Sequence, residues 1–298
     1  MKTSHRGMLL ALVLLAGAAA LAWAQDAKVD RAVVPLTTPG KKALIKATVL
    51  MGGITVKGTA GKEVIVEASL REEKIGDKED HLEVERPEIA EHEHEGAADK
   101  AKNAAGMKLI PSVGTGLEIE EENNVVSIGS ESWKRAVDLV IQVPMESDLE
   151  LGSTNDGDIV VENVSGRVEI DNVNGSITLK GVSGNVVANT VNGEIQATMP
   201  RVTPDKPMSF STMNGDIDVT FPADVKASLK MKTQQGDIYT DFDVSSFTPS
   251  AAKTDAGGAG KGKYHISFDR FLTGAVNGGG PEFAFNTFTG DIYIRKGK

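Results

Sequence analysis

Glycine recurs every nine residues at Gly157, Gly166, Gly175, Gly184 and Gly193, and the same local pattern returns at Gly215, Gly236 and Gly290. Two residues after these glycines stand Ile159, Val168, Ile177, Val186, Ile195, Ile217, Ile238 and Ile292, all β-branched. The next alternate position is mostly apolar too, which is the period of a strand with one buried face. Immediately before the glycines stand Asp156, Ser165, Asn174, Ser183, Asn192, Asn214, Gln235 and Thr289, all polar. Asn-Gly and Ser-Gly pairs supply the positive φ that a tight corner needs. The repeating unit is therefore a strand followed by a turn.

Further columns mark how the units stack. Three residues before each glycine come Thr154, Asn163, Asn172, Gly181, Thr190, Thr212, Thr233 and Thr287, seven of eight able to hydrogen-bond through the side chain. Val164, Val173, Val182, Val191, Met213 and Phe288 follow as a mostly apolar column. Fixed columns of like chemistry are expected of stacked coils, in which side chains form ladders along the axis. Nine extended residues span about 30 Å and cannot close around an interior, whereas eighteen supply two strands and two corners. Ser165 and Ser183 alternate with Asn174 and Asn192, so like stacks on like only at period eighteen. Asn192 to Asn214 is 22 residues and Asn214 to Gln235 is 21, each with a proline corner, Pro200 or Pro222, and Pro144 has a matching place upstream. Leu149 and Leu151, Met208 and Phe210, Leu229 and Met231, and Phe283 and Phe285 form the second alternating strand after the corner. Crossovers in one direction wind right-handed. The sequence thus predicts an all-β chain, a right-handed parallel β-solenoid of about 18 to 22 residues per coil.

Upstream the pattern is looser. Short strands are expected over 43–49, 53–56 and 64–70, and again over 117–119, 125–128 and 136–143. Residues 71–106 hold twelve acids with His81, His92 and His94, and read as an exposed acidic insertion. A second insertion, 249–263, is rich in Gly, Ala and Lys. The predicted organisation is a signal segment at 1–24, N-terminal strands over 25–135 carrying the acidic insertion, and the repeat region over 136–298.

Lys2 and Arg6, an uncharged run from Met8 to Leu21, and Ala22-Trp23-Ala24 make a secretory signal with cleavage after Ala24. The run is short for a bilayer span, no later segment could span one, and the absence of Cys removes lipidation, disulfides and thiolate chemistry. The expected location is periplasmic or secreted. The mature chain carries 30 basic against 42 acidic residues, a net −12. Such a balance disfavours nucleic acid and anionic membrane surfaces as partners, because phosphate binding needs a basic face.

Taken together, Gly52-Gly53-Ile54-Thr55-Val56, the segment from Val137 to Pro144, the Val-Ser-Gly and Val-Asn-Gly repeats, and Gly278-Gly279-Gly280-Pro281 leading into Phe288-Thr289-Gly290-Asp291-Ile292 resemble a bacterial extracytoplasmic putative-adhesin family, a domain of unknown function. The resemblance covers most of residues 33–296. It implies a β-helix fold and no established enzymatic activity.

Chemistry within the repeat has few carriers. Asp158, Asp216, Asp237 and Asp291 follow the repeat glycine, with Asp156, Asp218 and Asp241 nearby. Stacked in chain order, Asp216 and Asp237 would lie about 5 Å apart, as in a cation ladder or the carboxylate pair of a lyase or hydrolase. Equally, such Asp side chains accept backbone N–H bonds in turns. Arg167, Ser176, Asn185 and Glu194 interrupt the acidic column. His81, His92 and His94 among carboxylates suit zinc or copper, or else form a solvated charge run. Ser183 in Gly-Val-Ser-Gly lacks the nucleophile-elbow spacing, and phosphate loops and dinucleotide fingerprints are absent. Trp133 is expected either to cap the core or to stack on a ligand. No catalytic, cofactor-binding or metal-binding residue is assigned. The expected function is a non-enzymatic exported scaffold whose repetitive faces bind an envelope polysaccharide or a protein partner. A carbohydrate-active enzyme using Asp216, Asp218 and Asp237, and a metal-responsive envelope-stress sensor, are the alternatives.

Overall fold

The computed structural model describes residues 29–71, 114–130, 132, 135–249 and 271–298. They form strands and connections only. The first eight strands are β1 Val29–Pro35, β2 Ala43–Met51, β3 Ile54–Thr59, β4 Glu63–Leu70, β5 Leu117–Glu122, β6 Val125–Ser130, β7 Val137–Pro144 and β8 Ser147–Asn155. The repeat region continues with β9 Ile159–Glu162, β10 Ser165–Asn172, β11 Ile177–Lys180, β12 Ser183–Asn189, β13 Ile195–Thr198, β14 Arg201–Val202, β15 Met208–Ser211 and β16 Ile217–Phe221. The last are β17 Ala227–Gln235, β18 Ile238–Thr240, β19 Val244–Pro249, β20 Leu272–Val276, β21 Glu282–Thr289 and β22 Ile292–Lys296.

These strands make two sheets packed face to face, a β-solenoid. The ten-stranded sheet runs β1-β4-β7-β3-β9-β11-β13-β16-β22-β18, and the twelve-stranded sheet runs β19-β20-β17-β21-β15-β12-β10-β8-β2-β6-β5, with β14 beside β12. One coil is a strand of the larger sheet followed by a strand of the smaller. In the middle, the register repeats at eighteen residues, Ser165 on Ser183, Ile159 on Ile177 and Ile177 on Ile195, and then lengthens to 22 where Ile195 meets Ile217. In that coil the register is still eighteen at β14, just past Pro200, and the extra residues enter between β14 and β15.

Alternation decides which side is core. Along β7 and β8, buried residues alternate with half-exposed ones, and Leu139, Ile141, Leu149, Ile159, Ile170 and Ile177 are fully enclosed. Burying such a side chain stabilises by about 1.5–3 kcal/mol, so a register slip that turned one face outward would be costly.

Stack order departs from chain order at both ends. β2 and β3 lie between the β6/β7 and β8/β9 coils, and β21 and β22 lie between the β15/β16 and β17/β18 coils. Antiparallel strands then close the stack: β4 on β7, β1 on β4 and β5 on β6 at one end, β20 on β17 and β19 on β20 at the other. The outermost edges are poor templates for further pairing. β1 and β19 end in Pro35 and Pro249, β5 carries Glu118, Glu120 and Glu122, and β18 is three residues long.

Candidate functional site

The two corners of each coil differ in what they bury. At the serine corner, Val164 and Val182 are fully buried. At the asparagine corner the equivalent side chains point outward: Val173 and Val191 are 37% exposed, Phe288 43% and Met213 54%. The mostly apolar column therefore splits into an interior set and an external rail. The rail is in register, because Asn192 N–H donates to the Val173 carbonyl, Asn214 N–H to Val191 and Thr289 N–H to Met213. Its four side chains occupy consecutive rungs over about 14 Å.

Polar ladders flank the rail on both sides. Asn174, Asn192 and Asn214 each donate a side-chain N–H to the asparagine one rung back, Asn155, Asn174 and Asn192, over 3.2, 2.8 and 2.8 Å. On the inner side, Thr190, Thr212, Thr287 and Thr233 donate their hydroxyls to the carbonyls of Gly175, Gly193, Gly215 and Gly290 over 2.9–3.0 Å. The Asn172 amide N–H and the Ser153 hydroxyl donate likewise to the carbonyls of Gly157 and Gly52. Ser153 replaces the expected Thr154, since Asp156 at φ 54 inserts an extra residue into that corner. Every corner carbonyl so reached gains the partner that a buried polar group requires.

The aspartates serve these corners. Asp158 accepts the Ser176 N–H over 2.7 Å, Asp216 that of Asp291 over 2.7 Å, and Asp291 that of Asp237 over 2.8 Å. Asp138 and Asp148 repeat the device toward Gly53 and Arg167. The expected adjacency of Asp216 and Asp237 is corrected, because the inserted last coil puts Asp291 between them. Asp218 is held by a bidentate bond from Arg295, Asp156 pairs with Arg71, and Asp241 accepts the Lys296 N–H. Among the described residues no group of three or more His, Asp or Glu is arranged to hold a metal ion. His81, His92, His94 and Trp133 lie outside the described residues.

Sequence reasoning missed an aromatic pair and a cleft. Tyr239 and Tyr293 stack with ring centroids 5.1 Å apart and planes 8° from parallel. The Tyr293 hydroxyl donates to Asp291 over 2.9 Å, and this bond, burial and the surrounding carboxylate charge push its pKa up to about 12. The Asp237 charge likewise raises Tyr239. Gly-Asp-Ile-Tyr occurs at both 236–239 and 290–293, a repeat that would have signalled the pair. At the proline corners a cleft of about 520 Å³ is lined by Pro200, Pro204, Pro222, Val225, Pro281 and Phe283, with Arg201, Asp205, Asp224 and Lys226 also lining it. It joins three stretches of chain far apart in sequence, so spacing alone could not reveal it.

A two-sheet β-solenoid with ladders at its corners is the class this architecture defines. The Toastrack DUF4097 family matches residues 117–270, a little more than half of the chain, and the protein belongs to that family. Its structure is similar to that of a putative cell adhesion protein from Clostridium sporogenes, at 10% identity and a TM-score of 0.44, covering 91% of this chain and 100% of the other. A putative adhesin from Bacteroides fragilis is similar at 11% identity and a TM-score of 0.34, with 90% and 97% covered. No curated protein matches the sequence.

Proposed function

We propose that the protein is a non-enzymatic binding scaffold of the cell envelope, exported with cleavage after Ala24, and that it holds an envelope polysaccharide or a partner protein along the asparagine corner. The observation that carries this reading is the rail of Val173, Val191, Met213 and Phe288, exposed on four consecutive rungs beside a continuous amide ladder. Solvent-facing apolar groups in an unbroken row are what a contact surface needs, and isolated ones would need no explanation. The amides add hydrogen-bond donors and acceptors at the same spacing, which suits a repetitive polar polymer or an extended chain lying along the axis. The net negative charge argues for neutral or basic ligands. Against a hydrolase or lyase, Asp216 and Asp218 are engaged by the Asp291 N–H and by Arg295, and Asp237 lies two rungs from Asp216.

Co-sedimentation of residues 25–298 with cell-wall and extracellular polysaccharides, with released sugar measured in the same tubes, tests the reading. Retention without release is expected, and Val191→Asp with Met213→Asp should abolish retention while leaving the far-ultraviolet spectrum unchanged. Release of sugar would move the protein to the enzyme class. Equal retention of the double variant would remove the rail as the contact.

A further inference from the structure

The proline cleft lies at the corner opposite the asparagine rail, where the larger sheet has an unfinished edge. β14 pairs with β12 alone, Arg201 on Ser183 and Val202 on Gly184, whereas Met208 of β15 already has Phe283 of β21 beside it. The missing neighbour has a cause in the chain path. Residues 277–281 form a strap that crosses the start of β17 on the way from β20 to β21, so β21 begins only at Glu282. Asn277, Gly278 and Gly279 take φ of 50, 88 and 83° in this strap, and the Asn277 amide donates to the Val225 carbonyl over 2.7 Å. A Cβ on Gly280 would lie 2.4 Å from the Lys226 carbonyl oxygen, so the strap lies directly on the wall of the cleft.

The open edge presents its backbone. The Thr203 N–H donates to the Gly184 carbonyl over 2.9 Å. Successive residues of a strand turn their backbone groups to opposite sides, so the Val202 N–H and C=O are directed away from β12. Among the described residues neither group has a hydrogen-bond partner, and Val202 lines the cleft. Pro200, Pro204, Pro222 and Pro281 line it as well, rings of fixed φ without an N–H, which makes the walls stiff and apolar. Val225 and Phe283 are the buried part of the lining, and exposed Arg201, Lys226, Asp205 and Asp224 bring charges of both signs.

A free N–H and C=O on one strand residue, beside an apolar hollow, is what strand addition uses: the main chain gives affinity and the hollow takes a side chain. A sugar finds less here. Ring stacking needs an exposed aromatic face, and Phe283, the one aromatic ring in the lining, is fully buried against Phe221. A simple anion would meet Asp205 and Asp224, whereas a peptide can answer both signs.

We propose that the cleft is a docking site for an extended segment of a partner protein, which pairs its backbone with Val202 and sets an apolar side chain against the prolines, with charged residues on either side. The site shares no residue with the rail.

To test this, heptapeptides displayed on phage are selected on residues 25–298, and the enriched sequences are synthesised and titrated by fluorescence anisotropy. Peptides with a central apolar residue are expected. N-methylation of each backbone amide in turn should, at one position, weaken binding about tenfold, because the Val202 carbonyl then loses its donor. Thr203→Trp, which brings a ring to the lining, should abolish binding with an unchanged far-ultraviolet spectrum, while Val191→Asp with Met213→Asp, on the rail, should leave it intact. The Val202 amide resonance should shift on saturation with peptide. No enriched peptide, or peptides that bind Thr203→Trp as tightly, would overturn the proposal. Equal binding of every N-methylated form would do so too, and so would a Val202 resonance that shifts with cellohexaose and with no peptide.

Discussion

The middle coils and the last coil are made from one repeat and are assembled in different ways. From β8 to β13 each coil follows its predecessor in sequence, at a register of eighteen residues once past the extra residue at the corner after β8, around Val, Ile, Leu and Ala. The β21/β22 coil arrives by a crossing, separates two coils that are neighbours in sequence, and packs with phenylalanines. A repeat therefore specifies what a rung looks like without specifying its place in the stack. Every parallel edge offers nearly the same hydrogen bonds and the same columns, so rung order depends on side-chain volume and on the connection.

The widest gap between the two regions should appear at glycine. A Cβ on Gly193 would stand 2.2 Å from the Gly175 carbonyl oxygen, while Gly278 in the strap has no neighbour within 4 Å. Gly193→Val is expected to cost more than about 4 kcal/mol or abolish folding. Gly278→Ala should cost only about 1–2 kcal/mol for its positive φ. Urea denaturation of both variants checks this, and equal losses would mean that the middle corners are as tolerant as the strap.

Next comes the core. Phe285→Ala should destabilise by about 3–5 kcal/mol and Ile177→Val by about 0.5–1.5 kcal/mol, the difference being the cavity left in the aromatic seam. Chemical denaturation measures both, and a small loss at Phe285 would mean that the last coil contributes little to the fold.

At the middle corners the two ladders should separate cleanly. Thr190→Val leaves the Gly175 carbonyl without its hydroxyl donor and is expected to cost about 1–3 kcal/mol. Asn192→Ala, on the exposed ladder, should stay within about 0.5 kcal/mol. Melting curves of the two variants provide the comparison. A larger loss at Asn192 would make the amide row structural and weaken the case for it as a contact surface.

The smallest effects are those of pH, and they fall on different ends. Tyr293 has its pKa raised from 10.0 to about 12, chiefly by its hydrogen bond to Asp291. Its contribution to stability is therefore full below pH 10 and lost as pH rises through about 12. A spectroscopic titration should show a phenolate forming at about pH 12 that is lost in Tyr293→Phe. Toward the other end, the Lys46 ammonium holds the Glu150 carboxyl below its ordinary 4.5. That contribution is present above pH 4.5 and lost as pH falls through the lowered value. Hydrogen exchange in acid should open β2 and β8 before β21, and the reverse order would remove Glu150 as the reason.

Much of this was legible beforehand, and for a physical reason. Gly-x-Ile spacing, Asn-Gly corners and the Thr column are local requirements: positive φ, alternation and a hydroxyl within reach of a carbonyl one rung away. They hold whichever coil is the neighbour, and Ser165 on Ser183 and Ile177 on Ile195 appear as read. The aspartates were legible as turn acceptors for the same reason. The rail was not, because Val164 and Val173 follow the same pattern in sequence and differ only in which corner turns inward. Nor were Asp291 between Asp216 and Asp237 or the proline cleft, both of which arise from contacts between distant segments. The sequence by itself determined the rung, its width and its ladders. Only the tertiary structure decided the order of rungs, since near-identical edges make strand pairing degenerate until large side chains and a crossing strap select one arrangement.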